Sequence, residues 1–219
     1  MTTSTPIFTD RLHAGKDLAQ AIYSEIQEIF AENQDISPIV YALPRGGLPV
    51  AAPVAQLLCC PLDIIVAKKI SLPDNPELAI GAVTADGQVI WSKHKPVNSR
   101  VCQTALTQAE DKARKQQSVM GKGLHHYSAK NTIAIVVDDG IATGMTIAVA
   151  ALSLRSQKPA EIWICAPVAP PELIEQLYTW GDRVIVLHTP DPFLSVSRFY
   201  QTFPQVETSE AMSYLQPSH

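Results

Sequence analysis

Apolar positions along this chain follow two spacings, and the switches between them mark its elements. Leu18, Ile22, Ile26 and Ile29 recur at helical intervals within residues 10–31, with Asp17, Glu25 and Glu28 off that face. The pattern predicts an amphipathic helix laid over a sheet and capped by Thr9 or Asp10. Ile39 to Leu43 is instead a short apolar run, as a strand buried on both faces requires. Leu48 to Cys60 then reads as a helix, and Leu62 to Ala67 as a second strand that ends in Lys68-Lys69. Ile80 to Thr84 and Gln88 to Trp91, divided by Ala85-Asp86-Gly87, predict a hairpin. Residues 70–79 are rich in turn formers (Ser71, Pro73, Asp74, Asn75, Pro76), so they are expected to be a loop, either a linker or a mobile cover.

Further along, a helix is predicted from Val101 to Gln117, peripheral because its apolar face is thin (Leu106, Ala109, Ala113). Ile133 to Val137 is a strand, Ile147 to Leu154 a helix, Glu161 to Val168 a strand, Pro170 to Trp180 a helix and Arg183 to Thr189 a strand, with Pro170-Pro171 and Gly181 as start and stop signals. Such alternation predicts one α/β domain with a central, mostly parallel sheet flanked by helices. The tail from Asp191 carries Phe193, Phe199, Tyr200 and Phe203. So aromatic a tail should pack on the core, line a pocket for a planar ligand or meet another subunit.

Three of the predicted strand ends carry chemistry. Ile133 to Val137 stops at Asp138-Asp139 and passes through Gly140-Ile141-Ala142-Thr143-Gly144-Met145-Thr146 into a helix. Glycines let backbone approach a ligand, helix-start amides favour an anion, and carboxylates accept from sugar hydroxyls, so this turn suits a phosphorylated sugar. The first strand stops at Pro44-Arg45-Gly46-Gly47, which is a plain turn or a guanidinium placed for phosphate oxygens. Lys68-Lys69 is a solvated strand end or a further anion contact. In parallel sheets ligands bind outside the carboxyl ends of the strands, where all three would open together.

Composition narrows the classes. A 46% hydrophobic, 17% charged chain of 219 residues can bury a core and does not read as disordered. A net charge of -4 without a long basic run argues against nucleic acid as the main partner. No stretch is apolar enough to span a membrane and Met1 to Thr5 does not resemble a signal peptide, so a cytoplasmic location is expected. Cys59 and Cys60 end an apolar helical run and are expected to be small buried thiols. His125-His126 has no third ligand at metal-site spacing and reads as surface.

Val136 to Thr146 resembles the signature with which type I phosphoribosyltransferases bind phosphoribosyl pyrophosphate (PRPP): apolar residues, two acids, a short variable stretch, then Thr-Gly-x-Thr. Pro44-Arg45-Gly46-Gly47 stands where that family has its pyrophosphate loop. Lys68-Lys69 is similar to the basic pair that orotate-type members place before a flexible catalytic loop, which would be 70–79 here. Phe8-x-Asp10-Arg11, Asn75 to Val83 and the Phe199-Tyr200 to Gln205-Val206 tail extend the likeness to a bacterial subgroup of provisionally named phosphoribosyltransferases. The resemblance implies a core at about 36–190 with the N-terminal helix and the tail as a small hood.

It also implies roles. Asp138 and Asp139 would hold the ribose hydroxyls, and the segment Gly140, Ala142, Thr143, Gly144, Met145 and Thr146 would cradle the 5-phosphate. Arg45, Gly46 and Gly47 would meet the pyrophosphate, with Lys68 and Lys69 assisting. Mg²⁺ would be carried mainly by PRPP and touch the protein at Asp138 and Asp139. Lys69 would also serve catalysis, with Glu77 as a candidate base from the loop. Oxopurine enzymes of the family have an aspartate where Ala142 stands, so the resemblance argues against a hypoxanthine or guanine acceptor. The expectation is a nucleotide-salvage transferase moving ribose 5-phosphate from PRPP to a small nitrogen acceptor, a nucleobase, with a homodimer compatible with the class. A PRPP-binding regulator without catalysis is the rival; PRPP synthesis fits less well, because the duplicated domain of such synthases is missing.

Overall fold

In the computed structural model, Asp10 caps the first helix: its Oδ1 accepts the His13 amide at 2.8 Å, the bond an N-cap carboxylate makes to the first turn. Residues 6–32, 37–72, 75–93, 99–122 and 125–216 are described, with the backbone alone for 28–32, 76, 77 and 99. Helix α1 (Arg11–Glu32) buries Leu18, Ile22 and Ile26 completely; the side chains of Glu28 and Ile29 lie outside the described set. Strand β1 (Pro38–Ala42) leads into α2 (Gly47–Leu58), and β2 is only Leu62–Ile64.

After β2 the chain changes sheets, and here two expectations are corrected. Ala67–Leu72 is a separate strand, β3, antiparallel to β4 (Asn75–Thr84), which pairs in turn with β5 (Val89–Trp91). The run Leu62 to Ala67 is apolar throughout because Ile65 and Val66 stay buried while crossing between the sheets: the Ile65 amide donates to Ala42 and Val66 accepts from Ala85. Lys68-Lys69 therefore opens a strand of the small sheet instead of closing a parallel one. Residues 70–72 and 75–79, expected as a loop, are strand, joined through register shifts after Ile70 and Ser71; Pro73 and Asp74 lie outside the described residues. The hairpin at Ala85-Asp86 is as expected, with Gly87 at φ 92°.

Helix α3 (Ser99–Met120) lies on the small sheet and buries Cys102, Ala105 and Ala109 against Ile70, Ile80 and Val83. Strand β6 (Ile133–Val137), helix α4 (Met145–Ser156), strand β7 (Glu161–Val168), helix α5 (Ile174–Leu177) and strand β8 (Arg183–His188) complete the large layer. The predicted helix at Pro170–Trp180 shrinks to a 3₁₀ turn at Pro171–Leu173 plus this α5.

The large sheet has the order β2-β1-β6-β7-β8, all parallel. Side chains alternate across it: Val40, Ala42, Ile133, Ile135 and Val137 pack with α1 and α2, while Ile39, Tyr41, Ala134 and Val136 pack with α4. That period of two explains why every residue of β1 and β6 is apolar. From β1 the chain runs outward to β2 on one side, and β6 to β8 lie on the other. The switch point therefore falls between the carboxyl ends of β1 and β6, where crevices form in such sheets.

The termini meet over this edge. Phe8 bridges to Tyr200, the Ile7 and Phe8 amides donate to Phe199, and Phe8, Phe199 and Tyr200 form their own buried cluster. A last short helix, α6 (Thr208–Ser213), follows. The cysteine pair is a further correction. Cys59 is exposed and Cys60 half-buried, because Cys59 is the left-handed C-cap of α2 (φ 50°) and has left the helix's apolar face.

Candidate active site

The loops after β1 and β6 pack so closely that glycine is required between them. A Cβ on Gly46 would collide with the Asp139 carboxylate, and one on Gly47 would lie 2.7 Å from the Val137 carbonyl oxygen. The two glycines thus bring the Arg45 loop flat against the acidic turn. Gly46→Ala is expected to push the Asp139 carboxylate off its seat, costing about 1–3 kcal/mol of stability and weakening anion binding in the cleft; thermal melts and PRPP titration check both.

The resulting cleft, about 280 Å³, is lined by Arg45, Gly46, Asp138, Asp139, Thr146 and, from the tail, Gln205, with Arg11 at its wall. Arg11 was part of the family likeness but had no role assigned, and the structure gives it one. Its Nε donates to Asp139 Oδ2 at 2.7 Å, its Nη1 donates to the Pro204 carbonyl at 2.7 Å, and its guanidinium lies 3.6 Å from the Phe203 ring centroid. Tyr200 Oη donates to the Asp139 carbonyl at 2.6 Å. One arginine from α1 and one tyrosine from the tail therefore fix the second acid of the pair.

Asp138 is held differently. Its Oδ1 accepts the Asp139 amide at 2.9 Å, and no cation is paired with it among the described residues. Burial, then repulsion from Asp139, pushes its carboxyl well above the ordinary carboxylate range. Burial also raises Asp139, with Arg11 pulling the other way by charge and hydrogen bond. Two adjacent carboxylates in one desolvated cleft are a high-energy arrangement that cations or hydroxyl donors on a ligand would relieve.

Downstream, Gly144 takes the left-handed conformation (φ 72°) at the N-cap of α4, with Trp180 where a Cβ would project. Ala142 and Thr143 are exposed, and Met145 and Thr146 half-buried. The amides from Ala142 to Thr146 have no acceptor within the described protein, so they form an open row of donors at a helix start. Gly140 is buried, with Val196 of the tail and Val168 where a Cβ would project.

Among the other predicted site residues, Lys68 is half-buried and Lys69 exposed, both on β3. Neither lines the carboxylate cleft; Lys69 lies near enough to Asp138 for its charge to pull that carboxyl down, while Lys68 faces a neighbouring cavity that also contains Arg45. Glu77 lies in β4, but its side chain is outside the described set. The sequence carried a signal for Arg11, namely its place directly after the Asp10 cap, and none for its partner in the turn after β6.

The phosphoribosyl transferase domain family matches residues 9–193, and the chain belongs to it. Provisionally named phosphoribosyl transferases from two strains of Mycobacterium tuberculosis are 31% identical over 217 residues, covering 97% of this chain. The chain spans 47% of their length. The crystal structure of TT1426 from Thermus thermophilus superposes with a TM-score of 0.76 at 30% identity, covering 95% of this chain and 97% of that one.

Proposed function

We propose that the chain transfers ribose 5-phosphate from PRPP to a small nitrogen acceptor, a nucleobase, with release of pyrophosphate. One observation carries this reading: a cationic loop, a desolvated acid pair and an open row of helix-start amides meet at the sheet's switch point. They match, in order, a leaving diphosphate, a ribose diol and a terminal phosphate.

In this reading the amides of Ala142 to Thr146 anchor the 5-phosphate, and Asp138 and Asp139 accept from the ribose hydroxyls. Arg45 faces the anomeric diphosphate. Breaking the anomeric C–O bond leaves the ribose positive and the diphosphate negative. Fixed carboxylates on one side and a guanidinium on the other stabilise both charges without reorganising. The donor set suits Mg²⁺ carried by the substrate: two adjacent carboxylates and, among the described residues, no cluster of three or more ligating side chains, whereas this ion prefers phosphates and water. When bound, Mg²⁺ supplies charge neutralisation at the diphosphate. Helix α1 and the tail act as a hood, since Arg11, Gln205 and Val206 wall the cleft.

The test is a panel of nucleobases incubated with PRPP and Mg²⁺, with pyrophosphate release as readout. Release with at least one base and not without it is the expected result. Tight PRPP binding with no release for any base would favour the regulator instead.

A further inference from the structure

Beside the carboxylate cleft, on the far side of Arg45, is a second cavity of about 390 Å³. Its cations come from three elements: Arg45 from the loop after β1, Lys68 from β3, and Lys112 and Lys115 from α3. Lys112 and Lys115 are three positions apart, so they stand on one face of the helix. Gln116 joins them, donating from Nε2 to the Pro44 carbonyl at 3.4 Å, which ties α3 to the Arg45 loop. Val119 and Met120 supply an apolar side.

The cavity has no internal counter-charge. No carboxylate lines it, and none pairs with these four cations among the described residues. Among the described residues Arg45 makes one side-chain bond, from Nη1 to Thr208 Oγ1 at 3.1 Å, which leaves most of its fork open to a ligand. Burial, with repulsion from Arg45 and Lys112, lowers the Lys68 ammonium from its ordinary value. In a chain of net charge -4, concentrating cations this way is unfavourable unless an anion occupies the space.

We propose that this cavity is a phosphate-recognition site in its own right, built by Lys68, Lys112 and Lys115 around the far side of Arg45 and suited to a diphosphate or longer polyphosphate. A single phosphate would leave the charge of several cations uncancelled, whereas a diphosphate offers oxygens to the guanidinium and to the ammonium groups together. The ligand is a polyphosphate separate from PRPP and bound next to it, since the cavity lies outside the carboxylate cleft; the proposal does not rest on the transferase reading.

The experiment is calorimetric titration of the full chain with inorganic pyrophosphate and tripolyphosphate, which needs no turnover and so stands or falls apart from the activity assay. Lys112→Ala/Lys115→Ala, both exposed positions, is expected to weaken pyrophosphate binding by about tenfold, with Lys112→Arg/Lys115→Arg restoring it. Lys122→Ala/Lys130→Ala, exposed and outside the cavity, is expected to leave binding unchanged. In saturating PRPP, a further equivalent of tripolyphosphate bound through Lys112 and Lys115 is expected; competitive displacement by PRPP would overturn the proposal, because the cavity would then hold PRPP's own diphosphate. Undiminished pyrophosphate binding in Lys112→Ala/Lys115→Ala, an equal loss in the control pair, or no binding by the parent chain would overturn the proposal.

Discussion

Arg11→Ala is expected to lose about 3–5 kcal/mol at neutral pH, the usual cost of stranding one member of a buried ion pair. The side chains of Arg11 and Asp139 are 10% and 16% exposed, so little solvent is available to take over the charge. The same substitution removes the donor to Pro204 and the cation over Phe203, which loosens the tail where it meets the site. For a chain of this size the melting temperature should fall by roughly 6–20 °C. The pH dependence has a definite sign. Without Arg11, Asp139 loses what held its pKa down, so its folded value rises further above the unfolded one. The deficit is then largest above that range and shrinks as pH falls through it, because a protonated Asp139 needs no counter-charge. Melts of parent and variant at neutral pH and at about pH 4 should converge. Arg11→Lys should recover only part of the loss, since an ammonium lacks the fork that serves Asp139 and Pro204 together.

The adjacent acids are expected to respond in opposite directions to the same change. Asp138 has a pKa raised by burial and by its neighbour, and a raised carboxyl favours the fold below the unfolded value and loses that contribution as pH climbs through the folded one. At neutral pH its charge therefore works against folding. Asp138→Asn removes that charge while its Oδ1 can still accept the Asp139 amide. It should stabilise the chain by on the order of 1 kcal/mol, as relief of a functional site commonly does, with the gain vanishing in acid. Asp139→Asn also relieves a charge that burial disfavours, which offsets part of the loss of about 3–5 kcal/mol from leaving the buried Arg11 guanidinium without its counter-charge; the net change should be destabilising. Paired melts of the two variants at neutral pH read out the asymmetry directly; equal and same-signed shifts would contradict the distinct settings of the two carboxylates.

The parallel sheet was legible in the sequence because its signals are local. Apolar runs of strand length, ending at Arg45-Gly46-Gly47, at Asp138-Asp139 and at Pro170-Pro171, marked β1, β6 and β7 to within a residue or so. The acidic turn and the Arg45 loop were legible for the same reason. What escaped was non-local. The crossing from one sheet to the other at Ile65-Val66 is silent, since both sheets bury those residues. The Pro73-Asp74 region looked like the centre of a long loop, but apolar Ile80 to Val83 carries β4 far back toward it. Arg11 finds Asp139 across 128 residues, and no spacing within a helix predicts that. The resemblance gives Gly46 and Gly47 a place at the pyrophosphate, whereas the close approach of two loops also requires them. Lys112 and Lys115 belong to a helix whose thin apolar face predicts a peripheral place, and nothing local to it shows that α3 is tied to the Arg45 loop through Gln116.

A phosphoribosyl transfer by this chain requires the cleft between β1 and β6 to bind PRPP. Titration of PRPP with Mg²⁺ into the parent chain and into Asp138→Asn tests this most directly, because that variant is expected to be at least as stable as the parent. Loss of charge-assisted bonds to the ribose should weaken binding by roughly 10–100-fold in a protein that melts no earlier. Undiminished PRPP affinity in Asp138→Asn would contradict it.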